Sequence, residues 1–253
     1  MKPSLHLSKK INLLTLKKTV TSFILIIIFA FVISAQKKQI PNDQFISYVL
    51  DPSKQALKLY YKNQDQKNFS SIYNLKTYLS QQHKTLIFAT NAGMYNKNHE
   101  PQGLYIENQR LITPLDTSTA AGNFYLKPNG VFYLSNNNQA NICVSESFPK
   151  IKNVKYATQS GPMLVINGEL HPAFTKGSKN VYVRNGVGIL PDKKVLFAMS
   201  KKEINLHNFA TFFKSMGCKN ALYLDGFVSR TYLPEARWTQ LDGDFGVMFG
   251  VTE

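Results

Sequence analysis

The chain has 253 residues, 43% of them apolar, and no internal repeat or low-complexity linker divides it. Its 30 Lys and Arg outnumber 15 Asp and Glu, but the lysines are scattered and no zinc-finger or RNP pattern accompanies them, which argues against a nucleic-acid partner. There are two cysteines and no C-x-x-C or H-E-x-x-H pair, which argues against zinc; no cofactor is expected, and a divalent metal has no support in the sequence.

The N-terminus is read first. Lys2, Lys9, Lys10, Lys17 and Lys18 precede an apolar run, Phe23–Ile33, which gives way at Ser34-Ala35 to Gln36-Lys37-Lys38. Such a run rises about 16 Å as a helix, against roughly 30 Å of bilayer hydrocarbon. A basic stretch, a short apolar stretch and a small final residue make a secretory signal over 1–35, with Ala35 the last residue removed. Ile33 fits poorly three positions before cleavage, so an uncleaved anchor is the second reading. Either way the expected location is exported, periplasmic or extracellular, with membrane contact during export, and residues 36–253 form one domain.

From there strand signals dominate. Phe45–Leu50 and Ala56–Tyr61 predict an opening hairpin around Asp51-Pro52-Ser53. Ser70–Gln82 predicts a helix with Ile72, Leu75 and Leu79 on one face. Leu86–Thr90 predicts a short apolar strand ending at Asn91-Ala92-Gly93, and Leu104–Ile106 and Arg110–Ile112 flank a turn. Phe124–Leu126 and Val131–Leu134 are predicted strands around Lys127-Pro128-Asn129-Gly130. Lys155–Ala157, Met163–Ile166, Val181–Leu190 and Val195–Met199 follow. A second helix runs from an Asn205 cap to a Gly217 stop, then strands at Ala221–Leu224 and Val247–Val251. Many hairpins and two helices predict an α+β fold, with a few helices packed on a mixed, largely antiparallel sheet.

Polar residues cluster at strand ends. In Arg184-Asn185-Gly186-Val187-Gly188, alternation sets Arg184 beside two glycines that leave space a core strand normally fills. A guanidinium there can grip a phosphate through paired hydrogen bonds; a structural ion pair is the competing reading. Asp225 closes an apolar strand before Gly226, Ser229 and Arg230, where burial can tune a carboxylate, although Asp-Gly is also an ordinary turn dipeptide. Gln159-Ser160-Gly161 offers hydroxyl and amide groups for a sugar or phosphate. Asn91 ends a strand, and Gly93 permits close backbone approach.

Taken in this order, these segments resemble the phosphodiester glycosidase domain family. The resemblance spans Leu86 to Val251 and rests on six segments. They are Asn91-Ala92-Gly93-Met94-Tyr95, Gln102-Gly103-Leu104, Gly122-Asn123-Phe124 with Lys127–Gly130, Gln159–Leu164, Arg184–Gly188 and Ala221–Gly226. Family members often carry Asp-Gly-Gly followed by serines, whereas Phe227 and Val228 follow Gly226 here. The resemblance implies hydrolysis of a sugar–phosphodiester linkage, with a carbohydrate or sugar-phosphate partner. It implies Asp225 as the catalytic carboxylate, Arg184 as the anion clamp, and Asn91, Gly93, Gln159, Ser160, Gly161, Asn185, Gly226 and Ser229 around the substrate. A non-catalytic envelope glycan-binding protein of the same fold is the alternative.

Overall fold

A computed structural model describes residues 43–253; the signal segment expected at 1–35 lies outside them. Among the described residues the strands pair antiparallel into three sheets. The first sets β1 (Phe45–Leu50), β12 (Val195–Ser200), β11 (Asn185–Ile189), β13 (Ala221–Tyr223), β9 (Met163–Ile166) and β10 (Glu169–Leu170) side by side. The second runs β15 (Trp238–Thr239), β14 (Thr231–Leu233), β3 (Leu86–Asn91), β16 (Met248–Thr252) and β2 (Leu57–Tyr60). The third runs β5 (Arg110–Thr113), β4 (Tyr105–Glu107), β8 (Val154–Ser160), β6 (Gly130–Ser135) and β7 (Ala140–Val144). Two α-helices complete it among the described residues, α1 (Ile72–Gln81) and α2 (Leu206–Ser215), so the fold is α+β.

One apolar core joins the three sheets through tilted and edge-to-face phenylalanines. Phe197 of the first sheet lies 5.0 Å, ring centre to ring centre, from both Phe88 and Phe249 of the second, and Phe249 lies 5.1 Å from Phe132 of the third. All four are essentially fully buried, where close aromatic pairs add to the gain from burial itself. Helix α1 starts at Ser71, whose hydroxyl accepts from the Asn74 N–H, and its buried Ile72, Leu75 and Leu79 pack with Leu86 and Ala89 of β3. Helix α2 starts in the same way at Asn205, which accepts from Asn208 N–H.

Three expectations change. The first two strands do not form a hairpin: β1 pairs with β12, whereas β2 pairs with β16 in another sheet. The Asp51 turn, closed by Ser53 N–H on its carboxylate, carries the chain between sheets, and each strand pairs along its whole length that way. Asn123–Tyr125 is a single 3-10 turn rather than a strand; the Asn129 side-chain amide donates to Phe124 O and fixes it. Gly186 and Gly188 do not make room for the guanidinium. A methyl on Gly188 would lie 2.7 Å from both Phe213 Cδ1 and Cys218 Sγ, and one on Gly186 would lie 3.2 Å from Phe209 Cε1. The glycine pair is the groove into which α2 packs. Gly188→Ala is therefore expected to destabilise the fold by ~1–3 kcal/mol, seen as a lower melting temperature; an unchanged melt would show that α2 is not held against β11.

Cys218 is buried in that contact and Cys143 is half-buried on β7; both are free thiols. Burial pushes their thiols up to about 12 and about 11, which keeps them protonated and unreactive.

Candidate active site

Antiparallel pairing brings four chain ends to one place. The end of β3 lies beside the start of β14, and the start of β11 lies beside the end of β13. The two sheets are stitched together there by side-chain amides. Asn185 Nδ2 donates to Asn91 O at 3.0 Å and to Thr90 Oγ1 at 3.2 Å. Asn91 Nδ2 donates to the Asp225 carbonyl at 2.9 Å, while its Oδ1 accepts the Arg230 N–H at 3.0 Å. Ser229 Oγ lies 3.0 Å from the same Asp225 carbonyl. All three side chains are buried, so they hold the main chain of 225–230 rather than facing solvent.

That scaffold delivers the Asp225 carboxylate to a cleft of about 310 Å³, lined by Met94, Asn123, Asn180, Tyr182, Tyr223, Asp225, Gly226 and Phe227. Asp225 is the one acidic residue in this lining. Its Oδ1 accepts the Phe227 N–H at 3.0 Å, and no donor among the described residues reaches Oδ2. Burial holds the carboxyl above its ordinary range, and the Phe227 hydrogen bond only partly opposes that. Gly226 is required by contact: a methyl there would overlap the Tyr223 hydroxyl at 1.4 Å.

Arg184 lies behind this cleft, fully enclosed. Its Nη1 donates to Tyr223 Oη at 2.9 Å, its Nε to Ile204 O at 2.7 Å, and its Nη2 to Asn180 O and Oδ1 at 3.0 and 2.8 Å. Four of its five N–H groups are thus taken, so the fork does not offer paired bonds to a ligand. Nor is it in an ion pair among the described residues. The guanidinium lies over Tyr182 and Tyr223, 5.4 and 5.3 Å from the ring centres, and its charge meets only neutral oxygens and aromatic faces. An uncompensated cation thus stands behind the Tyr223 hydroxyl. Burial pushes that phenol up to about 12 despite Arg184, so it stays protonated.

Gln159 and Ser160 end β8 of the third sheet, Gly161 follows it and Gly93 follows β3; none of the four lines the cleft. Gln159 is fully buried: its Oε1 accepts from Leu104 and Asp116 N–H, and its Nε2 donates to Asp116 O and Ser145 Oγ. Those contacts leave its amide nothing for a substrate. Ser160 Oγ is enclosed with no hydrogen-bond partner among the described residues. Gly93 and Gly161 act by absence. A methyl on Gly93 would lie 2.4 Å from Gln159 O, and one on Gly161 would lie 2.6 Å from Phe124 O. They let the 91–94 and 122–125 segments press onto β8, which sets Met94 and Asn123 at the cleft.

Sequence reasoning missed Tyr223, Tyr182, Asn180 and Asn123. Tyr223 had a signal, since it stands two residues before Asp225 in an otherwise aliphatic strand. Asn180 had none, because its role depends on Arg184 folding back four residues.

The geometry can be set beside known proteins. Residues 84–247 match the phosphodiester glycosidase family. The chain is 29% identical over 234 residues to the uncharacterized protein YigE of Escherichia coli (strain K12), covering 92% of this chain and 91% of that one. Its fold is similar to the zebrafish N-acetylglucosamine-1-phosphodiester alpha-N-acetylglucosaminidase catalytic domain, solved auto-inhibited by its pro-peptide. The TM-score is 0.56 at 13% identity, over 84% of this chain and 85% of that one. A Burkholderia pseudomallei K96243 protein thought to be exported gives a TM-score of 0.53 at 9% identity, over 82% and 73%. Among the described residues no helix is long and apolar enough to cross a membrane. With its match running from the start of β3 to the approach to β16, the chain belongs to the phosphodiester glycosidase family.

Proposed function

We propose that this chain is an exported hydrolase that cleaves the bond between a sugar C1 and a phosphodiester oxygen in an envelope or extracellular glycoconjugate. The observation that carries the reading is the Asp225 carboxylate, largely buried, lining a cleft and bonded through Oδ1 alone, in a chain of this family. Water adds its hydroxyl to C1, the C1–O bond breaks, and the phosphomonoester leaves with the electron pair. Asp225 takes the water's proton and stabilises cationic charge building at C1. Its raised proton affinity suits a base better than an ordinary carboxylate would. A phosphomonoester leaves without needing its own proton donor, so a single carboxylate in the cleft suffices.

In this reading Tyr223 donates its hydroxyl to a phosphate oxygen, and Arg184 acts through it as a positioning residue and as a fixed positive charge. Asn91, Asn185 and Ser229 keep the Asp225 main chain in place, with Gly226 making room for Tyr223. Gly93, Gln159, Ser160 and Gly161 shape the opposite wall from behind.

The test is incubation of purified protein with N-acetylglucosamine-1-phosphodiester, the linkage in the zebrafish enzyme's name, while following free sugar and phosphomonoester. Saturable binding with no release of either product would instead make this a glycan-binding protein. Export has its own check: mass spectrometry of the protein from its natural host should find Gln36 at the N-terminus. An intact Met1 on cytoplasmic protein would sink the export reading, and an intact Met1 in the membrane fraction would make residues 20–35 an anchor.

A further inference from the structure

Phe227 is 89% exposed, the most exposed large apolar side chain among the described residues, and it stands at the mouth of the cleft two residues after Asp225. A solitary surface phenylalanine ordinarily needs no explanation. This one is held in place, because its own N–H is the hydrogen bond to Asp225 Oδ1. Its main chain, and so the point from which the ring projects, is therefore tied to the carboxylate. Among the described residues the ring joins none of the three apolar clusters centred on the core phenylalanines, helix α1 and Val131. The cleft it borders also holds a second exposed aromatic ring, Tyr182, at 49%, and two exposed side-chain amides, Asn123 and Asn180. Asn180 has its Oδ1 engaged by Arg184, which leaves its Nδ2 as a donor.

We propose that Phe227 is the floor of an outer sugar subsite, which stacks the carbohydrate ring carried on the far side of the phosphodiester from the bond that breaks. This deepens the reading that Asp225 reacts at C1, and rests on it. The argument is one of depth. Asp225 is 9% exposed and Phe227 is 89% exposed, so a ligand reaching from the carboxylate to solvent lays its leaving portion across the ring. A pyranose offers an apolar C–H face to an aromatic ring and hydroxyls at its edge to amides, and this mouth supplies both partners. A lipid surface fits less well, because a membrane contact needs a cluster of apolar side chains and the ring's partners in this cleft include amides.

The test compares two substrates: N-acetylglucosamine 1-(methyl phosphodiester), and the same phosphodiester esterified through the primary hydroxyl of methyl glucoside. Phe227→Ala should raise KM for the glucoside ester by roughly tenfold more than for the methyl ester. Phe227→Tyr, which keeps a flat ring, should restore it. An equal effect on both substrates, or no effect on either, overturns the subsite while leaving hydrolysis intact. A second readout is independent of turnover. Titration of the Asp225→Asn protein with the glucoside ester should show binding that weakens roughly tenfold when Phe227→Ala is added. Were that dependence seen with a wild-type protein that hydrolyses neither compound, the subsite would stand and the catalytic reading would fall. No binding of the glucoside ester at all overturns the subsite. So does sedimentation with phosphatidylcholine–phosphatidylglycerol vesicles that is lost with Phe227→Ala, which would make the ring a membrane contact.

Discussion

Asp225→Asn should lower turnover by ~10²–10⁴-fold and, at neutral pH, raise the melting temperature. The two effects share one cause. Burial raises the Asp225 carboxyl above its ordinary 3.8, so the folded protein binds its proton more tightly than the unfolded chain does. The group then costs no stability below the unfolded value, and it costs progressively more as pH rises through the folded value. An asparagine keeps the acceptor for the Phe227 N–H and removes the buried charge. Its stability advantage should therefore be present at pH 7 and vanish as the pH falls below about 4. For the same reason the acid limb of kcat/KM in the wild type should lie above the usual carboxylate range. A structural role predicts the opposite pattern, with melting temperature and activity falling together. Rate measured on folded protein, beside thermal melts at neutral and acid pH, separates the two. Near-normal turnover of the asparagine variant would remove Asp225 from the chemistry.

The local grammar of the fold was legible wherever a residue acts on its near neighbours. Asn205 marks its helix because a cap needs only a side-chain oxygen three residues before an N–H. Asp225 was visible as an acid closing an apolar strand, where Asp-Gly also reads as an ordinary turn, and the family resemblance is what singled it out. What pairs with what was not legible. Leu57–Tyr60 reads as a partner for Phe45–Leu50 until β16, nearly 190 residues further on, is available to pair along its whole length. The short strands at Thr231–Leu233 and Trp238–Thr239 carry no alternation long enough to see. Gln159 illustrates a limit at the site itself. A buried amide bonded to Asp116 and Ser145 looks, in sequence, the same as one waiting for a sugar. Only the fold shows which polar groups are already spent. Arg184 was visible as an unusual charge in a predicted strand, but its partners Asn180 and Ile204 were not, so its mode of action could not be read from sequence.

That mode of action makes a comparison of Arg184→Lys with Tyr223→Phe informative. Lysine keeps the positive charge but has three donors on one nitrogen, whereas Arg184 uses separate nitrogens for Ile204, Asn180 and Tyr223. At least one of those buried acceptors would lose its partner, at ~1–3 kcal/mol of stability, and Tyr223 would lose its fixed orientation. If Arg184 acts through Tyr223, removing the hydroxyl alone should reproduce most of the kinetic loss. Tyr223→Phe should then lower kcat/KM by ~10²–10³-fold, the scale for deleting one preorganised donor to developing anionic charge. Arg184→Lys should fall in the same range, and the double variant should be little worse than either single one, because both changes remove the same interaction. Were Arg184 instead to reach the phosphate directly after some rearrangement, Tyr223→Phe would be mild, Arg184→Lys severe, and the two losses additive. Kinetics of the four proteins, each corrected for its folded fraction, distinguish the cases. An additive cycle would return Arg184 to the role of direct clamp and leave Tyr223 as wall.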